Sequence, residues 1–254
     1  MRNDTDKTQE KAWRVEMKQR LMALGMTLVL ALGVTGCRYG ISDGLAGGAG
    51  EFDAQVYVDG FIRQNYLGEY DRDYLELVGV TAQEAEQVYR DSIDNEVSFF
   101  ISYLYDIEYP TDEYVEQLRE LYKEIYSHTK YTIVSVDELS DGSFAVKVEV
   151  EPIDIVQQVE SDWDKNMKEF YETYSAEVVN AMDDEEYEAF DKAWAEKLLE
   201  LYKNKMPEIG NMTPRSVVVQ IQPGENGEYR VETESFRKLD DLIIDYTDSA
   251  GVMS

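Results

Sequence analysis

The chain contains little thiol or imidazole, with one cysteine and one histidine among its 254 residues. A single cysteine excludes an intrachain disulfide, so the thiol is free, paired between chains or used chemically. Zinc and most transition-metal sites need several nitrogen or sulfur ligands, which this composition does not supply. No Gly-rich phosphate loop is present either. We therefore expect no metal of these kinds and no cofactor.

Positive charge is also scarce. Lys and Arg number 24 against 53 Asp and Glu, which gives a formal charge of −29. Such a chain repels nucleic acid, which proteins bind mainly by neutralising phosphates, and it repels anionic lipids and wall polymers. We therefore expect no nucleic-acid partner, whereas cations, cationic peptides and neutral ligands remain. The 19 Tyr and 8 Phe, with regular periodicity, predict a folded acidic domain rather than disorder.

The longest apolar run is too short to be a typical transmembrane helix, which needs about 20 residues. It covers residues 21–34 with the sequence LMALGMTLVLALGV, and it follows Lys18 and Arg20. A charge-free run of this length behind basic residues is typical of the h-region of a signal peptide. We therefore predict that residues 1–36 are an export signal.

The four residues at the end of this run, Val-Thr-Gly-Cys, resemble the bacterial lipobox, in which a small residue precedes an invariant cysteine. The resemblance implies that Cys37 carries diacylglycerol and that cleavage occurs between Gly36 and Cys37. Val34 departs from the commoner Leu at its position. Because two acyl chains hold a protein stably at a bilayer, we expect a lipid anchor on the extracytoplasmic face of the cell membrane. The alternative is a free or buried cysteine after an uncleaved anchor.

The residues on either side of the anchor segment are polar or flexible. Residues 1–16 carry four acids, which is unusual for an n-region, and Met17 begins a conventional one. We therefore expect translation to start at Met17; a precursor peptide containing Trp13 would refute this. Residues 37–52 contain five glycines and predict a flexible tether.

Residues 53–152 have a helical period followed by a period of two. Apolar residues recur at helical spacing over 54–66, 85–104 and 111–125, and Thr81 with Glu84 has capping-box spacing. Residues 131–136 and 144–151 then predict strands joined at a turn, with polar and apolar residues alternating in the second strand. This unit is predicted to be two or more helices followed by a β-hairpin.

The same order recurs over residues 153–250. We expect one long helical stripe from Ile155 to Val178, a helix opened by Asp183 with Glu186, a hairpin including residues 217–221 and 229–233, and a last helix capped by Ser235. The hexapeptide LRELYK at 118–123 is echoed by LLELYK at 198–203.

These patterns predict one acidic domain over residues 53–250, with a possible internal repeat of 53–152 and 153–250. The predicted fold class is α+β: two helix–helix–β-hairpin units, with an antiparallel sheet covered on one face by helices. The alternative is two separate small domains joined near Pro152.

The sequence of residues 85–155 includes ELYKEIY in a predicted helix and VEVEPID at the end of a predicted strand. In these features the chain resembles a group of uncharacterised extracytoplasmic lipoproteins of Gram-positive, Clostridia-like bacteria. The resemblance implies a lipobox, a helix-rich α+β domain and no assigned activity. Cys37 is the one residue whose role it carries over.

Candidates for chemistry are few. His128 lies near a helix end without a Gly-x-Ser-x-Gly motif, so placement at a helix C-terminus is the favoured interpretation. Calcium needs only oxygen ligands, yet neither acidic stretch with suitable residues has an EF-hand loop. These stretches are Glu69, Asp71, Asp73 and Glu76, and residues 183–186.

The aromatic residues divide by their position relative to the helical stripes. Trp163 and Trp194 fall on stripes and are expected in the core. Tyr70, Tyr109 and Tyr114 lie outside the stripes and are candidates for an exposed aromatic surface that stacks on a ligand.

The leading hypothesis is a non-enzymatic, membrane-anchored lipoprotein that binds an unknown protein, a small molecule or a wall ligand. The alternative is a hydrolase of wall polymers that uses paired carboxylates, and a third reading is a spacer without a ligand. A deep cleft with two close acids would favour the hydrolase, and a shallow groove lined by Tyr would favour binding.

Overall fold

The computed structural model describes residues 52–224 and 228–246. The predictions for the signal segment, Cys37, the start at Met17 and the tether up to residue 51 lie outside these residues. The elements follow the chain as α1 Ala54–Ile62, α2 Arg72–Val78, α3 Ala82–Phe99, α4 Asp112–Tyr126, β1 Lys130–Glu138, β2 Phe144–Glu151, α5 Ile155–Ser161, α6 Trp163–Thr173, α7 Ala176–Val179, α8 Asp184–Lys205, β3 Arg215–Pro223, β4 Tyr229–Val231 and α9 Thr233–Ile243.

The described strands form one antiparallel sheet in the order β1-β2-β3-β4. The central pairing joins β2 to β3, from Phe144 opposite Ile221 to Val150 opposite Arg215. The strands of both predicted hairpins therefore belong to the same sheet. The predicted α+β class, with an antiparallel sheet and helices against it, is confirmed.

The inner face of the sheet is built by alternation in β2 and β3. Val146, Val148 and Val150 are each 0% exposed, and Val146 and Val148 lie opposite Val219 and Val217. Each fully buried aliphatic side chain contributes about 1.5–3 kcal/mol relative to exposure. The inner face packs against α1 and α9. The sheet thus has one buried apolar face and one polar face, as the alternation of apolar and polar residues in the sequence predicted.

Two helices begin with the predicted capping boxes. The Thr81 hydroxyl accepts a hydrogen bond from the Glu84 amide at 3.2 Å, and the Glu84 carboxylate accepts one from the Thr81 amide at 2.7 Å. Asp183 and Glu186 make the same exchange at the start of α8. In both cases the side chains satisfy amides that have no partner within the helix.

We expect Thr81→Ala to lower the free energy of unfolding by about 1 kcal/mol, because it removes the acceptor for the Glu84 amide. The measurement is urea denaturation followed by circular dichroism. Thr81→Ser keeps the hydroxyl and is expected to retain most of the stability. Equal losses in both variants would contradict a capping role.

The prediction of one continuous helix over residues 155–178 is wrong, because the structure has three helices there. The first break is at Asp162, whose φ of −109° and ψ of 10° leave the α-helical region. Its carboxylate is paired with Lys205 at 2.8 Å, which ties the break to the end of α8. The second break precedes α7, where the Ser175 hydroxyl accepts from the Val178 amide. Val178 is consequently 46% exposed instead of buried.

The prediction for the last helix needs a correction as well. Helix α9 starts at Thr233, which was expected to extend a strand, and its cap is Glu232 rather than Ser235. The Glu232 carboxylate accepts from the Ser235 amide at 3.0 Å and from its hydroxyl at 2.8 Å. Ser235 lies inside the first turn and is 4% exposed.

The two echoed hexapeptides occupy equivalent environments in α4 and α8. Their first, fourth and fifth positions are all buried in one hydrophobic cluster. The pairs, with exposed fractions, are Leu118 0% and Leu198 0%, Leu121 3% and Leu201 4%, and Tyr122 2% and Tyr202 1%. The repeated hexapeptide sequence therefore has the same pattern of buried side chains in both helices.

Candidate ligand groove between α4 and α8

Helices α4 and α8 pack against each other and run in the same general direction. Near the start of α4, the amide of Tyr109 donates to Asp191 of α8 at 2.8 Å. Further along, Lys203 of α8 donates to the side-chain oxygen of Gln117 at 2.8 Å. Their buried sides join the core, and their outer sides border a groove.

The groove consists of two adjoining cavities. Their volumes are about 530 Å³ and about 510 Å³. Gln117 and Lys203 line both cavities, so their hydrogen bond lies where the two meet. The apolar part of the lining is Leu121, Ala195 and Leu199, which are 3%, 4% and 6% exposed. The volume of each cavity lies in the range that ligand sites occupy.

The walls of the groove are predominantly acidic. The lining contains six glutamates and three lysines, namely Glu113, Glu116, Glu120, Glu124, Glu196, Glu200, Lys123, Lys192 and Lys203. Each lysine is already bonded: Lys123 to Glu120 at 2.6 Å, Lys192 to Glu188 at 2.7 Å, and Lys203 to Gln117. All three lysine side chains of the groove therefore already interact with other side chains of the domain.

Three of the six groove carboxylates have no partner among the described residues. Within residues 52–224 and 228–246, the carboxylates of Glu113, Glu124 and Glu196 make neither an ion pair nor a hydrogen bond. Glu113 and Glu196 line the first cavity and Glu124 lines the second. Both parts of the groove thus present uncompensated negative charge.

A buried carboxylate shapes the end of the groove at the start of α4. Asp191 is 1% exposed, and its two oxygens accept from the amides of Glu108 at 3.1 Å and Tyr109 at 2.8 Å. The segment before α4 turns sharply, with a φ of 51° at Asp106. Because charged hydrogen bonds are stronger than neutral ones, Asp191 holds this turn against α8 and fixes the position of Tyr109.

Tyr109 provides an exposed aromatic ring at this end of the groove. It is 42% exposed and its ring meets that of Tyr187 edge-on, with centroids 6.5 Å apart. The Tyr187 hydroxyl donates to Glu108 at 3.2 Å. The ring of Tyr109 is therefore supported from one side while it remains open to a ligand.

Tyr114 lines the same part of the groove but is 6% exposed. Its hydroxyl is buried without a hydrogen-bond partner in the described part of the chain. Burial, followed by the proximity of Tyr105 and Asp191, raises the pKa of Tyr114 above its ordinary value, so the hydroxyl stays protonated at neutral pH. The hydroxyl is therefore not accessible from the groove, and Tyr114 joins this side of the groove to the core.

The prediction that Tyr70, Tyr109 and Tyr114 form one exposed surface is wrong. Tyr109 is exposed and shares the groove with Tyr114, but Tyr114 is buried because it packs into the core cluster from the first turn of α4. Tyr70 lies elsewhere, half-buried, and its hydroxyl donates to Glu86 at 3.1 Å. Tyr171, which was not predicted to belong to any exposed surface, is 46% exposed.

The two tryptophans lie against the core as predicted. Trp163 is 8% exposed and belongs to the hydrophobic cluster. Trp194 is half-buried against it, and its ring nitrogen donates to the carbonyl of Tyr105 at 2.9 Å. Neither indole is a free stacking platform.

Five acids of the two stretches considered for calcium have other partners in the structure. Glu69 and Asp71 lie 3.0 Å and 3.5 Å from the guanidinium of Arg63, and Glu76 pairs with Arg72. Asp183 and Glu186 serve the capping box described above. In the described ranges, no cluster of three or more His, Cys, Asp or Glu side chains has an arrangement suited to a metal ion.

His128 follows the end of α4 and lies outside the groove lining. Its amide donates to the carbonyl of Ile125 at 3.0 Å, and its carbonyl accepts from Asn211 at 3.0 Å. It therefore helps to close the turn between α4 and β1.

Sequence reasoning missed the groove because its residues come from two helices far apart in the chain. Gln117, Lys192 and Glu196 belong to no motif. The repeated hexapeptide was the available signal, since Lys123 and Lys203 occupy its last position. It did not reveal that α4 and α8 are neighbours.

Comparisons with known proteins give a similarity of fold. No family model and no curated protein matches the sequence. A crystal structure of the Bacillus subtilis protein YcdA, described as a lipoprotein, superposes with a TM-score of 0.50 at 14% identity. The match covers 74% of this chain and 55% of that one, so this chain spans about half the length of YcdA. At this identity the similarity concerns the fold alone.

Within residues 52–224 and 228–246, no helix combines the length and the apolar character needed to span a membrane.

Proposed function

We propose that this protein is a membrane-anchored extracytoplasmic lipoprotein whose acidic domain binds a ligand or a partner protein in the α4–α8 groove, without catalysing a reaction. The observation that carries the binding role is the groove itself, with its apolar floor, acidic walls and exposed Tyr109. Anchoring is supported by the lipobox at Cys37 and by the similarity of fold to a protein described as a lipoprotein.

The state of the groove carboxylates favours binding over hydrolysis. Three of them are engaged in ion pairs, Glu116 with Arg119 at 3.0 Å, Glu120 with Lys123 at 2.6 Å and Glu200 with Lys197 at 3.0 Å. A glycosidase needs an acid and a base that flank the bond to be cleaved. A wall of ion-paired and solvated glutamates is better suited to recognition.

We expect at least one of calcium, muropeptides and cationic peptides to raise the melting temperature of the wild-type protein, because a ligand that binds only the folded state stabilises it. Gln117→Trp places an indole where the two cavities meet and should abolish the rise. The measurement is differential scanning fluorimetry with each ligand in turn.

The matched control is Gln83→Trp, on the exposed start of α3, which should keep the full rise. An equal rise in both Trp variants would contradict binding in the groove. Release of fragments from purified wall polymer, abolished by a glutamine replacing a groove glutamate, would instead establish the hydrolase.

A further inference from the structure

The groove has the shape and the charge for one class of partner. We infer that it takes a basic amphipathic helix of a partner protein, which packs its apolar stripe between α4 and α8 and its Lys and Arg side chains on the groove glutamates. This inference rests on the proposed function and specifies the partner for that site.

The length of the groove favours a polypeptide over a small molecule. Two cavities lie in succession along α4, whose 15 residues extend about 22 Å. Two helices that run side by side present a groove into which a third helix fits, as in helix-in-groove recognition. A small ligand would fill only one of the two cavities.

The floor of the groove sets the apolar requirement. Leu121, Ala195 and Leu199 lie between the polar walls, with Leu121 in one cavity and the other two in the next. An amphipathic helix presents apolar side chains at intervals of three and four residues along one face. Such a stripe is long enough to cover both parts of the floor.

The walls set the charge requirement. Glu113 and Glu196 at one part and Glu124 at the other have no partner in the described chain, while the groove lysines are held by Glu120, Glu188 and Gln117. A bound segment with Lys or Arg beside its apolar stripe would pair with these free carboxylates. The formal charge of −29 opposes an acidic partner and attracts a basic one.

The test is peptide binding to the full lipidated protein in detergent, measured by fluorescence anisotropy. The probe is the labelled peptide LKKLLKLLKKLLKL, and LEELLELLEELLEL is its acidic counterpart. We expect the basic peptide to bind and the acidic one not to. The double variant Glu113→Gln/Glu196→Gln should raise the dissociation constant about fivefold, as expected for the loss of two exposed charge pairs.

The matched control is Glu169→Gln/Glu177→Gln, which removes the same charge from exposed positions outside the groove. It should change the dissociation constant less than about twofold. Gln117→Trp should block the peptide. Equal weakening by both double variants would overturn the inference, because attraction would then follow net charge alone.

Failure of the inference is distinguishable from failure of the proposed function. If neither peptide binds, but another ligand raises the melting temperature of the wild type and not of Gln117→Trp, the groove is a binding site for a different class of ligand. Binding of the acidic peptide as tightly as the basic one would likewise refute a basic partner.

Discussion

Replacement of Cys37 by serine is expected to abolish incorporation of labelled palmitate and to leave the signal segment on the chain. The lipobox resemblance implies that acylation of this sulfur precedes cleavage before it, and the chain has no other cysteine to acylate. Mass spectrometry of the intact protein and autoradiography of labelled cells measure both effects. The expected change is complete loss of label, because serine has no thiol to receive the diacylglycerol.

A second variant distinguishes anchoring by the lipid from anchoring by the uncleaved apolar segment. An uncleaved apolar run can itself keep a precursor at the membrane, so a chain that begins at residue 38 should be examined beside the serine variant. We expect this shortened chain in the soluble fraction. If the serine variant keeps the wild-type mass and label, or the shortened chain stays with the membranes, the anchoring account is refuted.

Replacement of Asp191 by asparagine is expected to lower the free energy of unfolding by about 2–3 kcal/mol. The change preserves the shape of the side chain but turns one acceptor into a donor. Because one oxygen accepts from the amide of Glu108 and the other from that of Tyr109, either orientation of the new amide sets a donor against a donor. The site is 1% exposed, so water does not compensate.

Urea denaturation measures this loss, with Asp164→Asn as the matched control. Asp164 is exposed at the start of α6, and its replacement should cost less than about 0.5 kcal/mol. The Asp191 variant should also weaken ligand binding at the groove, because the turn that carries Tyr109 loses its tie to α8. Equal stability of the two variants would show that the buried carboxylate does not hold this turn.

Local patterns predicted the secondary structure where the physical cause was itself local. Thr81 with Glu84, and Asp183 with Glu186, form the expected capping boxes because each exchange involves residues three apart. Strict alternation in β2 predicted its buried face, since the side chains of a strand point to opposite sides. These features depend on few residues and survive in any fold that contains them.

Predictions failed where a distant contact altered the local pattern. The apolar stripe from Ile155 to Val178 has helical spacing throughout, yet the helix breaks at Asp162, which pairs with Lys205. Tyr114 lies off its helical stripe in the sequence, yet it is buried in the core cluster, close to the buried Asp191 of α8. Neither Lys205 nor Asp191 can be assigned to these roles from neighbouring residues.

The sequence by itself determined the acidity of the chain, the starts of several helices and the strands with one apolar face, because composition, periodicity and capping act over a few residues. It also predicts an export segment that ends in a lipobox. Only the tertiary structure decided that β2 pairs with β3 and that α4 lies beside α8. Those pairings bring together residues about 80 positions apart, such as Gln117 and Lys203. They arise from the joint burial of many apolar side chains, which no short motif encodes.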